Sequence, residues 1–364
     1  MMKSYNENSS EINEKAFDLE REVTRIIHQI GVPTYIKGYQ YLRMAIMLVV
    51  EDCDIIDSAT KRLYPSVARK YGTTTSRVEG AIRKAIDIAW DRGDVDILNS
   101  YFGYTIANNR GKPTPTEFIA MIADHLTVKE SDDPMLTTVT KILHQCGVPA
   151  DIKGYKYLRT AILLTVKDSD IINSATKMLY PSVTKKYQTT TGRVEGAIRH
   201  AIEIAWDRGD VDIINSYFGY TISNNRGRPT STEFIAMIAD RLIVKELDDP
   251  MVTNVTKILH QCGVPADIKG YQYLRMAIML VVEDCDRVKH IYPDVAEKYQ
   301  TTTSRVEGAI RKAIEISWYR GDADTLNSYF GYTIDINRGK PTPTPTEFIA
   351  MIADDLRLKY GKFN

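Results

Sequence analysis

PSVARKYGTTTSRVEGAIRKAIDIAW, Pro65 to Trp90, contains two helix signals separated by a turn. Pro65 opens a short helix that runs to about Lys70, and Tyr71-Gly72 stops it, with Gly72 a candidate for the left-handed residue after a helix end. Thr73 to Thr75 offer N-caps for a longer helix, Ser76 to about Trp90, which ends near Gly93. Val78, Ile82, Ala85 and Ala89 recur at helical spacing and form one apolar stripe, while Ser76, Glu79, Gly80, Arg83, Lys84 and Asp87 fall on the opposite side. A short helix, a four-residue turn and a longer amphipathic helix form the layout of a helix-turn-helix. One face packs and the other can reach base edges and phosphates. The same pattern also describes an ordinary helix pair with a solvated charged face.

The stretch is not unique. RVEGAIR starts at Arg77, Arg193 and Arg305; SYFGYTI at Ser100, Ser216 and Ser328; TEFIAMIAD at Thr116, Thr232 and Thr346. HQIGVP at His28 returns as HQCGVP at His144 and His260, each step being 116 residues. That period is far longer than the roughly 20–50 residues of a solenoid unit, so each copy has the size of a whole domain. The expected architecture is all-α: a polar tail (1–15) and three tandem six-helix domains (16–131, 132–247 and 248–364), each with its own helix-turn-helix. In copy one the remaining helices are expected over Phe17 to Gln29, Tyr35 to Val50, Ile55 to Leu63 and Phe118 to Leu126, the last launched by the capping box Thr114-Pro115-Thr116-Glu117. The junctions KESDDPM and KELDDPM are short, and Asp133-Pro134 and Asp249-Pro250 each read as an N-cap followed by a first-turn proline. Copy three has RVKHIYP (Arg287 to Pro293) where copy one has IIDSATKRLYP (Ile55 to Pro65), a loss of about one helical turn.

Composition narrows the function classes. No apolar run approaches the roughly 20 residues of a membrane span, and the first residues lack a signal-peptide core, so a cytoplasmic protein with no membrane partner is expected. Four cysteines without a CxxC pair argue against a disulfide framework or a structural zinc site. Cys53 and Cys285 lie beside acidic residues, which do not activate a thiol, and Cys146 and Cys262 occupy the place of Ile30. His28, His144 and His260 sit at helix C-termini, where an imidazole suits the dipole. Tyr101, Phe102 and Tyr104 read as core packing or as a partner patch. No enzyme, cofactor, metal or small-molecule substrate is expected. Net charge is zero, so charge alone points to no nucleic-acid partner.

Longer motifs carry a resemblance. IIHQIGVPTYIKGYQYLR, ATKRLYPSVARKYGTTTSRVEGAIRKAIDIAWDRGD, NSYFGYT and TEFIAMIADHL make each copy similar, over essentially its whole length, to the C-terminal DNA-binding effector domain of stage zero sporulation protein A. The resemblance implies a six-helix fold with the helix-turn-helix at its fourth and fifth helices. It also implies double-stranded DNA as partner, read at short direct-repeat promoter boxes by domains arranged head to tail. The segment after the recognition helix, here DRGDVDILNSYFGYT, is implied to contact RNA polymerase sigma factor. The implied DNA-binding residues are Ser76, Arg77, Glu79, Gly80, Arg83 and Lys84; Arg193, Glu195, Gly196, Arg199 and His200; and Ser304, Arg305, Glu307, Gly308, Arg311 and Lys312.

Two departures bear on mechanism. No segment resembles the phosphoacceptor receiver domain that usually accompanies this effector, and covalent tandem linkage could substitute for receiver-driven dimerisation, raising avidity about 10²- to 10⁴-fold where geometry permits. Where the family reads SRVERAIRHA, this chain has Gly80, Gly196 and Gly308 in place of the middle arginine. An arginine–guanine pair gives about 1–3 kcal/mol of discrimination, so its loss relaxes or shifts specificity. The glycine either lets the backbone approach DNA or marks a lost contact. Copy two (Met135 to Glu246) has 15 lysine plus arginine against 11 aspartate plus glutamate, whereas copy three places Asp294 and Glu297 beside its helix-turn-helix. Phosphate contacts supply most non-specific affinity, so copy two is expected to bind DNA most strongly and copy three least. The alternative is an interaction protein that does not bind DNA and acts as a decoy for sporulation regulators or sigma factor.

Overall fold

The computed structural model describes residues 17–103, 111–218, 227–331 and 342–360. The polar tail and Tyr104 lie outside them. By internal contacts the chain divides into two compact units, residues 1–159 with 200–210, and residues 160–199 with 211–364. Copy one lies wholly in the first unit and copy three wholly in the second.

In copy one α1 spans 17–29, followed by α2 (Lys37–Glu51), α3 (Tyr64–Lys70), α4 (Thr75–Arg92), α5 (Val95–Phe102) and α6 (Pro115–Glu130). Copy two repeats them as α7 (Pro134–Gln145), α8 (Lys153–Lys167), α9 (Tyr180–Tyr187), α10 (Thr191–Arg208), α11 (Val211–Phe218) and α12 (Ser231–Leu247). Copy three has α13 (Pro250–Gln261), α14 (Lys269–Glu283), α15 (Ile291–Lys298), α16 (Thr303–Arg320), α17 (Ala323–Phe330) and α18 (Pro345–Tyr360). No strand occurs among the described residues. The caps are those the motifs predict: Thr114 and Glu117 form a complete capping box, and Asp133 accepts from Met135 and Leu136.

Six α-helices per copy agree with expectation, but one of the six differs. Ile55 to Leu63, expected as an α-helix, is a 3₁₀ turn (Ile56–Ser58) leading into a π turn (Ala59–Leu63). The cause is Pro65, whose ring crowds the carbonyl four residues back. The turn widens, and the Tyr64 N–H donates to the Ala59 carbonyl instead. Copy three lacks the π turn and keeps only a 3₁₀ segment, Cys285–Lys289, ahead of α15. The sixth helix is α5, which Asp94 caps by accepting from Asp96 and Ile97. The helix-turn-helix is therefore α3–α4, the third and fourth α-helices of the copy.

In copy one α2 is the central helix and packs on α4 and α6, with α3 on α4 and α5 on α6. Leu42, Ala45 and Ile46 of α2 are fully buried, as are Val78, Ile82, Ala85 and Ala89 of α4. Each fully buried leucine or isoleucine contributes about 1.5–3 kcal/mol. Gly38 permits this packing, since a Cβ there would overlap the Ala81 carbonyl oxygen on α4; Gly270 faces Ala309 in the same way. Phe102 joins α5 to α6 through Phe118 at 4.9 Å and to α4 through Trp90 at 5.3 Å.

Each unit also contains a junction between successive copies. In the first, Asp124 of α6 accepts from Tyr155 Oη at 2.5 Å and from Arg159 Nη1 at 2.6 Å, with His144 Nε2 at 3.4 Å. Thr116 donates to Asp151 at 2.9 Å, and Arg208 donates to Glu117 at 2.7 Å. The second unit repeats the set: Tyr271, Arg275 and His260 on Asp240, Thr232 on Asp267, and Arg320 on Glu233. Burial raises the pKa of both carboxyls. The bond from the histidine and the arginine charge outweigh it, holding Asp124 well below the ordinary carboxylate range and lowering Asp240 to about 2. The first junction adds Lys156, which donates to the Cys53 carbonyl and to Asp54. Copy three has Gln272 at that register.

Candidate nucleic-acid interface

The long helix of the helix-turn-helix starts from a threonine cap in copies one and three. Thr74 Oγ1 accepts from Arg77 N at 3.4 Å, and Thr302 accepts from Arg305 N at the same distance. Helix α3 ends where the chain turns left-handed, at Gly72 with φ +59°. Its counterparts Gln188 and Gln300 take φ +48° without being glycine. The stripe expected to pack is buried, so the helix's rotation fixes which residues face outward. Ser76, Arg77, Gly80, Arg83 and Lys84 are exposed, with Glu79 half-buried beside them. Arg193, Gly196, Arg199 and His200 are exposed on α10, and Ser304, Arg305, Gly308, Arg311 and Lys312 on α16, with Glu195 and Glu307 again half-buried. Within each copy the predicted residues are thus brought onto one outward face.

On that face the glutamate and second arginine are bonded to each other. Arg83 donates to Glu79 at 2.7 Å, Arg199 to Glu195 at 2.9 Å and Arg311 to Glu307 at 2.6 Å. An exposed i,i+4 pair contributes about 0.3–0.5 kcal/mol, so it orders both side chains yet opens at little cost for a better partner. Between them lies the glycine. A Cβ built at Gly80, Gly196 or Gly308 meets nothing within 4 Å. Packing therefore does not require glycine at any of the three positions.

The flanking charges differ among copies. In copy one Arg62 is engaged with Asp52 at 2.8 Å, while Lys61 and Arg69 are exposed. In copy two Lys177 and Lys185 are exposed, and Lys186 lies over the Tyr187 ring at 5.4 Å. In copy three Arg287 lies 3.9 Å from Asp294. Lys112, which the helix pattern did not single out, joins the copy-one face. It pairs with Asp87 of α4, and Trp90 Nε1 donates to the Gly111 carbonyl at 2.7 Å, holding the segment before α6 alongside the helix. A contact across 25 residues leaves no trace in local periodicity.

The other candidates have structural places. Cys146 and Cys262 are fully buried, and burial raises the Cys262 thiol to about 12. His144 and His260 do end helices, but they also belong to the junctions, each 3.0 Å from a tyrosine hydroxyl. Phe102 is core, and Tyr101 stacks edge-on with His125 at 5.2 Å. Among the described residues no helix is long and apolar enough to cross a membrane.

Comparison with protein families agrees with this geometry. The model of the family described as sporulation initiation factor Spo0A C terminal matches three times, over residues 23–126, 139–242 and 255–356. The chain belongs to that family, a DNA-binding effector-like domain of sporulation regulation, here present in three tandem copies.

Proposed function

From a chain of three Spo0A C-terminal domains, we infer a transcription regulator that reads direct-repeat promoter boxes with α4, α10 and α16 as recognition helices. The observation carrying this reading is the outward face repeated on all three helices, with its arginine exposed and its glutamate half-buried over a buried stripe. Arg83, Arg199 and Arg311 are assigned to base edges, where a guanidinium matches the two acceptors of guanine. Glu79, Glu195 and Glu307 then exchange the arginine for a cytosine amine. Arg77, Lys84, Arg193, His200, Arg305 and Lys312, with Ser76 and Ser304, are assigned to positioning along the backbone. Gly80, Gly196 and Gly308 leave one reader absent per copy, so specificity is altered relative to the family's usual helix. Copy two, with its lysines, is the strongest binder and copy three the weakest. The sigma-factor contact is assigned to α5, which presents Val95 to solvent.

A gel-shift series over salt with tandem direct-repeat DNA tests the reading. Retention at low salt that weakens steeply as salt rises is expected, together with loss of box preference in Arg83→Ala, Arg199→Ala, Arg311→Ala. A chain that retains no DNA at low salt overturns the reading in favour of the decoy.

A further inference from the structure

The two junctions are built alike: a carboxylate on the last helix of one copy enters a tyrosine–histidine–arginine set on the next. Copy one carries the same receiving set, formed by His28, Tyr39 and Arg43. Tyr39 Oη is 2.9 Å from His28 Nε2, their rings stack at 5.4 Å, and Arg43 lies over the Tyr39 ring at 5.7 Å. His144 and His260 are 20% and 11% exposed in their junctions, whereas His28 lies open to solvent. Copy three carries the same donating end. Asp354, in register with Asp124 and Asp240, is exposed. Leu358 is 80% exposed, while Val128 and Val244 at the same register are 6% and 5% exposed.

We propose that these ends recognise each other between molecules: Asp354 of one chain enters the His28–Tyr39–Arg43 set of a second copy of the chain. Three observations single out this occupant. The receiving chemistry is cationic and hydrogen-bonding, the donating end offers the matching carboxylate beside an open apolar side chain, and the same pairing occurs twice inside the chain. The contact is heterologous, so nothing in it limits growth at two chains. One residue opposes it. Glu20 places its carboxylate 3.0 Å from Arg43, occupying the charge that Asp354 would meet. In the other copies that register holds Leu136 and Val252, which cannot do so. Glu20 is 44% exposed, so its hold on Arg43 is solvent-screened and yields to a more buried carboxylate. Glu20 thus sets how readily the ends join.

Analytical ultracentrifugation of the full chain, without DNA, tests this over a concentration series reaching the ~mM effective concentration of short-linked domains. The expected result is a weight-average mass that rises with concentration, rises earlier in Glu20→Leu, and stays that of one chain in Asp354→Asn and in Arg43→Met. Asp354 is exposed, so its substitution leaves the fold intact, which circular dichroism checks. Two results overturn the proposal: a single-chain mass for both the native chain and Glu20→Leu throughout, or association that survives Asp354→Asn.

Discussion

Replacing Gly196 separates a helix effect from a DNA effect. A Cβ at Gly196 meets nothing within 4 Å, and the residue lies well inside α10, so Gly196→Ala gains the ordinary helix-interior difference, about 1 kcal/mol. Gly196→Arg gains most of the same amount. It also places a new positive charge three residues from both Arg193 and Arg199 and four from His200, which returns a few tenths of a kcal/mol at low salt. Both variants should therefore resist thermal unfolding better than the native chain, alanine slightly more. On DNA they should diverge. Alanine adds no reader and leaves affinity and preference unchanged. Arginine adds one between Glu195 and Arg199, raising discrimination at a single box position by about 1–3 kcal/mol, roughly 5- to 150-fold. The assay is competition gel shift on boxes substituted one base pair at a time, with melting curves on the same preparations. An arginine variant that is more stable yet leaves preference unchanged at every position would refute the placement of α10 against base edges. A tenfold loss of affinity in the alanine variant would instead show that the glycine serves close backbone approach.

Three further outcomes follow from the geometry. Gly38→Ala should destabilise copy one by about 1–3 kcal/mol or more, because the new Cβ overlaps the Ala81 carbonyl and forces α2 from α4; chemical denaturation reads the loss, and Gly80→Ala serves as the neutral-packing control. Gln188→Gly and Gln300→Gly should each stabilise by about 0.5–1 kcal/mol, since both side chains sit at φ +48°, while Gly72→Ala should do the reverse; melting temperatures decide it. The second junction should weaken in acid. Asp240 is lowered from 3.8 to about 2 on folding, so its contribution, on the order of 2 kcal/mol, is complete above pH 4 and is lost as pH falls from about 4 towards 2. Hydrogen exchange along α12 and α13 should show that loss, and Asp240→Asn should be destabilised already at neutral pH, with the acid step removed.

Much of this was legible because the relevant signals are local. The threonine caps and the stripe Val78–Ile82–Ala85–Ala89 each lie within a few turns, and the structure reproduces them, while the period of 116 is read directly from the repetition of the motifs. The missed helix α5 is only two turns long and buries just Leu98 and Phe102, too few positions for a period to emerge. Its one clear signal was Asp94 after Gly93, a cap following a stop. Ile55 to Leu63 misled because apolar spacing cannot distinguish an α-turn from a π turn imposed by a proline two residues beyond. The junctions were illegible for a different reason. His144, Tyr155, Arg159 and Asp124 were all visible in the repeat, but repetition shows which residues recur and not whether a pair meets within a copy or across two.

That last ambiguity bears on function. Three identical domains on flexible tethers would gain avidity only through effective concentration, and each would search its box independently. The junctions argue against that picture. Each of the two places a carboxylate, only 11% and 10% exposed, against an arginine, a tyrosine and a histidine from the next copy. Burying such a charge is costly unless its partners are held in place, so a slack junction would leave Asp124 or Asp240 poorly compensated. The polar set therefore favours one defined orientation at each step. A defined orientation has most value when single contacts are weak, and on the proposed reading α4, α10 and α16 each have a glycine where the resemblance implies a reading arginine. On that reading the helices and the junctions are complementary features: a base contact that each copy lacks is offset when two successive copies, held by their junction, meet their boxes in register.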